Sequence, residues 1–299
     1  MSGQNERRMV FQQLINGLML GATYSLVAIG YTLIFGVLRL LHFAHGEVLM
    51  AGSFMGIYII LWTGLPLYIT LPLAMILTGI LGLIIDLLAI RPIRMDFHLA
   101  PLLSTIGVTI ILQNLAIKLF GGYGTKFPDA ITGVNWKIGP YTVSSEKILI
   151  LGISLFLMVI LYFMISKTKM GRAMRAVAES HLTAGLLGVN VDRIVLLTFG
   201  IASALAGAAG VMVGISFHAV SPFIGLTFAL KGLVVMLLGG LGNVVGAMIG
   251  GLILGVAEVL SIVLVPPEIN VQDIFSFGIM ILILIFKPEG LFGSRISQG

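Results

Sequence analysis

Cysteine is absent from this 299-residue chain, which excludes disulfides, thiolate metal sites and thiol nucleophiles. Charge is scarce. Asp, Glu, Lys and Arg make up 10% of the residues, against roughly 25% in a soluble domain, so the chain cannot clothe a water-facing surface. No Gly-Lys pair occurs, which removes a Walker A loop and nucleotide binding in the P-loop manner. Nor is there a His-Glu-x-x-His or a dense His/Asp/Glu grouping for a metal. His98, His181 and His218 stand apart and read as surface or loop residues.

What remains is apolar. Hydrophobic residues make up 58% of the chain, and the mean hydropathy is +1.12. The apolar runs are too long and continuous for barrel strands. Helices are then the only structure that satisfies the backbone in lipid. The expected fold is an all-α polytopic membrane protein of eight to nine transmembrane helices. Thirty-eight glycines and fifteen methionines point to close helix contacts and adaptable packing. The net charge of +5 reports inside loops, and no nucleic-acid partner is expected.

Nine stretches have spanning length: 11–35, 45–62, 68–90, 99–120, 147–166, 193–215, 224–241, 246–265 and 271–286. The first runs on too far for a signal-peptide core despite Arg7 and Arg8 ahead of it. Even numbers of crossings separate the basic clusters Arg91/Arg94, Lys167 to Arg193, and Lys287/Arg295. All three fall on one face, cytoplasmic by the positive-inside rule. The loop 121–146, where Asp129 and Glu146 balance Lys126 and Lys137, is then external, as is the N-terminus. A re-entrant segment would be the alternative. The expected organisation is one membrane domain over 1–299: a repeat at 11–120, the external loop, a polar island, and a repeat at 193–286. The odd number of intervening segments makes the repeat inverted, as in many transporters.

The polar island carries a helix expected over 171–187, bracketed by Gly171 and by Gly188 as C-cap. Arg172, Arg175, Glu179 and Leu182 form one stripe on it, and Ala173, Ala176, Ser180 and Ala184 a second, small one. Small residues beside charges suit a helix lying in a partner's groove. The alternative is an amphipathic helix on lipid headgroups, with Arg172 and Arg175 on phosphates.

Elsewhere, Gly17/Gly21, Gly52/Gly56, Gly242/Gly246 and Gly246/Gly250 are G-x-x-x-G pairs that let helix backbones approach. The dense cluster Gly239, Gly240 and Gly242 is expected to break or turn a helix, and a break at mid-membrane would have to face protein or a pathway. Thr105, Thr109 and Gln113 form a polar stripe, serving either interhelical hydrogen bonds or a pathway. Three carboxylates fall within apolar segments. Asp86 is expected to pair with Arg91, Glu47 adjoins His45, and Glu258 lies deepest, as a functional group or a neutral structural one.

Several phrases carry a family resemblance. Gly171-Arg-Ala-Met-Arg-Ala-Val-Ala-Glu-Ser with Ala184 and Gly188-Val-Asn resembles the coupling helix of ABC-importer permeases for branched-chain amino acids. The run from Asn16 through Tyr24 is similar to that family's first segment, and the run from Leu41 through His45, Gly46 and Glu47 to its second. The family usually has Asn where His42 stands. The run beginning Gly239-Gly-Leu-Gly resembles its glycine-rich motif, and Phe286-Lys-Pro-Glu-Gly-Leu-Phe-Gly its C-terminal motif.

The resemblance covers nearly the whole chain and is closest to the shorter of the two permease subunit types. It implies a non-catalytic subunit of a bacterial or archaeal cytoplasmic (inner) membrane. Its partners would be a second permease subunit, two cytoplasmic ABC ATPases and an external solute-binding protein. The chain itself would hold no cofactor, ATP and magnesium being used by the partner subunits. The expected ATPase-coupling residues are Gly171, Arg172, Arg175, Ala176, Glu179, Ala184 and Gly188. The expected pathway residues are Asn16, Tyr24, His45, Gly46, Thr105, Thr109, Gln113, Gly239, Gly240 and Gly242. Importers of urea, short amides or sugars are the nearest alternative. An ion-coupled secondary transporter using Glu258, or a scaffold or membrane-enzyme subunit, represents another class.

Overall fold

The computed structural model of the protein describes residues 2–93, 99–128, 135–138, 141–264 and 272–293. Arg94, His98, Asp129 and Arg295 lie outside them. The helices are α1 (Ser2–Leu38), α2 (His45–Thr63), α3 (Leu67–Ile85, prolonged by a π-helical turn Asp86–Ile90), α4 (Leu99–Phe120), α5 (Ser145–Lys167), α6 (Lys169–Glu179), α7 (His181–Leu186), α8 (Val191–Phe217), α9 (Ile224–Gly239), α10 (Val244–Leu264) and α11 (Gln272–Phe286). Seven of these are long and apolar enough to cross a membrane; α9 and α11 are apolar but shorter. Together they occupy the nine apolar stretches. The chain is an all-α polytopic membrane protein.

Its core is built around α1, which packs on α5, α6, α8, α9 and α10. Glycine makes the tightest of these contacts possible. A Cβ at Gly17 would stand 2.7 Å from the Val256 Cα, and one at Gly21 2.8 Å from the Leu252 Cα, so α1 and α10 meet backbone to backbone. The Ser25 hydroxyl donates to the Met248 carbonyl at 2.7 Å and fixes their register. Along α2 and α8 the same device recurs, Gly52 meeting Gly207 while the Ser53 hydroxyl donates to the Gly210 carbonyl at 2.7 Å. Partners are exchanged between the halves: α2 and α3 pack on α8, whereas α9 and α10 pack on α1.

The N-termini of α2 and α9 meet inside the body. A Cβ on Gly225 would lie 2.8 Å from the Gly46 carbonyl oxygen. At one end of the molecule, hereafter the basic end, gather the C-terminus of α1, the turn after α3, α6, α7 and the start of α8. The Arg39 guanidinium donates to the Ala178 carbonyl at 3.4 Å, and His181 Nε2 donates to the Val37 carbonyl at 2.8 Å. Arg91 pairs with Asp192 at 3.5 Å rather than with Asp86, because the π-helical turn carries its side chain toward α8.

At the distal end, strand β1 (Thr125–Lys126) pairs antiparallel with β4 (Ala219–Val220), while β2 (Asn135–Ile138) and β3 (Tyr141–Ser144) form a hairpin. Phe127, fully buried, wedges against Gly56 and Gly214 and so anchors the loop to α2 and α8.

Candidate coupling surface and membrane cavity

The polar island forms two helices, not the single one expected over 171–187. Ser180 divides them: its hydroxyl accepts the Thr183 N–H at 3.2 Å and starts α7, the ordinary habit of serine at an N-cap. The expected glycine stop holds, Gly188 adopting φ +86°. Gly171 sits where α6 folds back on α5, its Cα against the Ile165 backbone, with no room for a side chain.

The inward face of α6 is Gly171, Met174 and Val177. The small stripe is a flank of that face: Ala184 is buried, and Ala173 and Ala176 pack on the same cluster as Ile34, Val37 and Phe199. It is therefore committed largely to this chain rather than left free for a partner. Arg175 donates to the Ile165 carbonyl and caps the last turn of α5. The outward face carries Arg172 and Glu179 on α6. On α7 and just after it, Leu182, Leu186 and Leu187 are 76%, 80% and 77% exposed. Three exposed leucines beside charges make an apolar patch that the stripe analysis did not single out, apart from Leu182.

The residues assigned to a pathway separate into distinct places. Asn16 accepts from Lys147 at 2.7 Å and ties α1 to the start of α5. The Thr105 hydroxyl receives the Phe43 N–H at 3.3 Å and anchors the segment leading into α2; Thr109 donates to the Thr105 carbonyl at 3.0 Å. Gln113, one turn further along, is half-buried. Of the two expectations for the Gly239–Gly242 cluster, a break or a turn, the turn is found. It forms the turn joining α9 to α10, packed on the C-terminal tail, where the Leu291 and Phe292 N–H groups donate to the Leu238 and Gly239 carbonyls at 2.8 and 3.2 Å. Gly240 takes φ +103°, closed to other residues without strain, and a Cβ there would meet Gly293 at 2.6 Å. This turn shares a cleft with Arg175 at the basic end.

His45 and Gly46 belong to a sealed group. His45 is buried beneath Gly30, its ring centroid 4.7 Å from that of Tyr31. His42 packs edge-on to Phe199 at 5.1 Å. Glu47 lies in the first turn of α2 and against Gly225 in the first turn of α9, where two helix dipoles favour an anion.

Tyr24 belongs to a second group. Its hydroxyl donates to Glu258 Oε1 at 3.3 Å, and Ser276 donates to Oε2 at 3.2 Å. Lys231 forms an ion pair with Glu258 and a second with Asp273 at 3.1 Å, its ammonium 5.4 Å from the Tyr24 ring centroid. Glu258 thus has the Lys231 ammonium beside it as a counter-charge. Lys231 was the overlooked member. A lysine within the apolar stretch 224–241 was the available signal, since intramembrane charge demands a partner. Tyr24, Lys231, Glu258 and Asp273 line a cavity of about 610 Å³ at the distal end, whose other walls include Leu20, Phe217, Phe223 and Phe228.

A helical membrane body with a packed polar helix pair at one end and a charged cavity toward the other has the build of a membrane permease. Sequence comparison supplies the particular family. Residues 13–284 match the model of the branched-chain amino acid transport system permease component, and the chain belongs to that family. The high-affinity branched-chain amino acid transport system permease protein LivH of Salmonella typhimurium is 37% identical, the match covering 94% of this chain and 95% of LivH. BraD of Pseudomonas aeruginosa, described in the same words, is 37% identical with the same coverage. The LivM permease protein of Salmonella typhimurium is 25% identical over 90% of this chain and 67% of its own length.

Proposed function

We propose that this chain is a transmembrane subunit of an ATP-driven importer of branched-chain and similar apolar amino acids. It would work beside a second permease subunit, two cytoplasmic ABC ATPases that hydrolyse the ATP, and an external solute-binding protein. The observation that carries the reading is α6–α7: a firmly packed helical pair that turns charge and three exposed leucines outward, in a chain 37% identical to LivH. In this reading the basic end is cytoplasmic in the inner membrane, the N-terminus is external, and all nine apolar helices cross or enter the bilayer. Residues 11–120 and 193–286 would be inverted repeats, which accords with the exchanged packing of α2/α3 on α8 and α9/α10 on α1.

ATPase closure would push α6–α7, and the Arg39–Ala178 and His181–Val37 bonds offer a route from there into α1. An ion-coupled secondary transporter finds less support, because the deep carboxylate Glu258 is already held by Lys231. Arg175 and Ala176 serve the chain's own packing, so substitutions there would disturb the fold as well as docking. Leu182→Asp/Leu186→Asp and Arg172→Glu are the cleaner tests. Losing such interface anchors costs about 2 kcal/mol or more. Both variants should stay in the membrane yet release the ATPases on purification and stop importing labelled leucine. Retention of the ATPases with normal uptake in both would make α6–α7 a headgroup anchor. A wild-type complex that imports urea or ribose but not leucine would overturn the substrate.

A further inference from the structure

We infer that the cavity between α1, α9, α10 and α11 is a binding station for the transported amino acid, gripping its charged head group through Lys231 and Asp273. This rests on the importer reading and assigns the substrate a place within it.

Charge comes first. The cavity contains Lys231, Glu258 and Asp273, one cation against two carboxylates, so one negative charge is in excess. A structural ion pair needs only one of each sign. Glu258 is also fully served, by Lys231, Tyr24 and Ser276. Asp273, in contrast, is 54% exposed and holds Lys231 through one oxygen, Oδ1. An ammonium has three donors, and the two carboxylates engage two of those on Lys231. The third donor and the second Asp273 oxygen are the two ends of a zwitterion site. A substrate carboxylate would take the former and an α-ammonium the latter.

Shape agrees with charge. Beside the charged floor, Leu20, Phe217, Phe223 and Phe228 form an apolar wall suited to a branched side chain. Phe217 and Phe223 are 54% and 51% exposed, so solute reaches the site from the distal end. The volume of about 610 Å³ is ample for one amino acid. A neutral solute such as urea or ribose can donate a hydrogen bond to the excess carboxylate but brings it no positive charge, and it brings Lys231 no negative one. The site therefore selects zwitterions after release from any external binding protein.

The test uses the whole importer in proteoliposomes, with ATP inside and labelled leucine at a saturating level outside. Three forms are compared: wild type, Asp273→Asn, and the double variant Lys231→Met/Glu258→Gln. Asp273 is half-exposed, and the double change removes both buried charges together, so all three should assemble, as co-purification of the ATPases will check. We expect both variants to lose leucine uptake by about tenfold or more. If the double variant transports at the wild-type rate, the pair is structural and the inference falls. Normal uptake by Asp273→Asn overturns the ammonium site. A wild-type complex that moves only urea or ribose overturns the zwitterion site together with the importer reading, a result distinct from variant failure against an active wild type.

Discussion

Two groups of ionisable residues lie in the apolar body, and they differ in what surrounds them. His42, His45 and Glu47 are closed over by Gly30 and Gly225, each side chain at most 1% exposed. Tyr24, Lys231 and Glu258 are nearly as buried, yet they form the floor of a cavity with the half-exposed Asp273 at its rim. In the first group a carboxylate faces helix N-termini; in the second it faces a lysine. Access and a countercharge separate the two, and in the proposed reading the first is a joint of the scaffold and the second the place where a solute stands.

The largest expected effect comes from breaking the open group's ion pair on one side only. Lys231→Met strands the Glu258 carboxylate and should destabilise the purified protein by about 3–5 kcal/mol. Adding Glu258→Gln removes the stranded charge and should bring stability back to within about 1 kcal/mol of wild type. Thermal unfolding in detergent reads both. An equally unstable double variant would mean that the pair is held for its fold contribution, and the contrast between the groups would disappear.

A middling effect is expected from wedging the sealed group apart. A Cβ at Gly46 would strike the Gly225 carbonyl and Ala229, so Gly46→Val should cost about 1–3 kcal/mol through overpacking. The lost stability should be accompanied by a lower yield of folded protein in the membrane. Full stability would show that the α2–α9 contact yields and that the group is not sealed.

The smallest effect should follow Glu47→Gln. The amide keeps the shape and a polar group near both helix N-termini, so the change should cost about 1 kcal/mol or less, the scale of a single net hydrogen bond. Leucine uptake should be close to normal. Abolished uptake in a stable variant would move the sealed group from scaffold to pathway.

Much of this architecture was legible because membrane solvation leaves so few choices. All nine apolar stretches became helices with ends within a few residues, apart from α1, which begins at Ser2. Gly188 ended the island as its sequence position indicated, and the G-x-x-x-G pair at Gly17 and Gly21 is a backbone contact. What escaped was relational. Ser180 reads equally well as a helical residue or a cap until α7 turns away. The Gly239–Gly242 cluster reads equally as a break or a turn until the tail at Leu291 and Phe292 packs on it. Lys231 and Glu258 are 27 residues apart, and helical periodicity alone does not bring α9 and α10 to that register. The small stripe on α6 was visible, but which body it lies against depends on Val37 and Phe199, far away in sequence.

The length of α1 has a mechanical meaning in the importer reading. Val37, at its foot, accepts the bond from His181, and Tyr24, thirteen residues above, bonds the carboxylate on the cavity floor. At about 1.5 Å per residue the two points are separated by about 20 Å. A rigid rod of that length, tilted by about 5° at the foot, sweeps its upper point sideways by about 2 Å. A hydrogen bond of 3.3 Å does not survive such a stroke. In the importer reading α1 is thus dimensioned as a crank: a nudge at one end makes or unmakes one contact at the other.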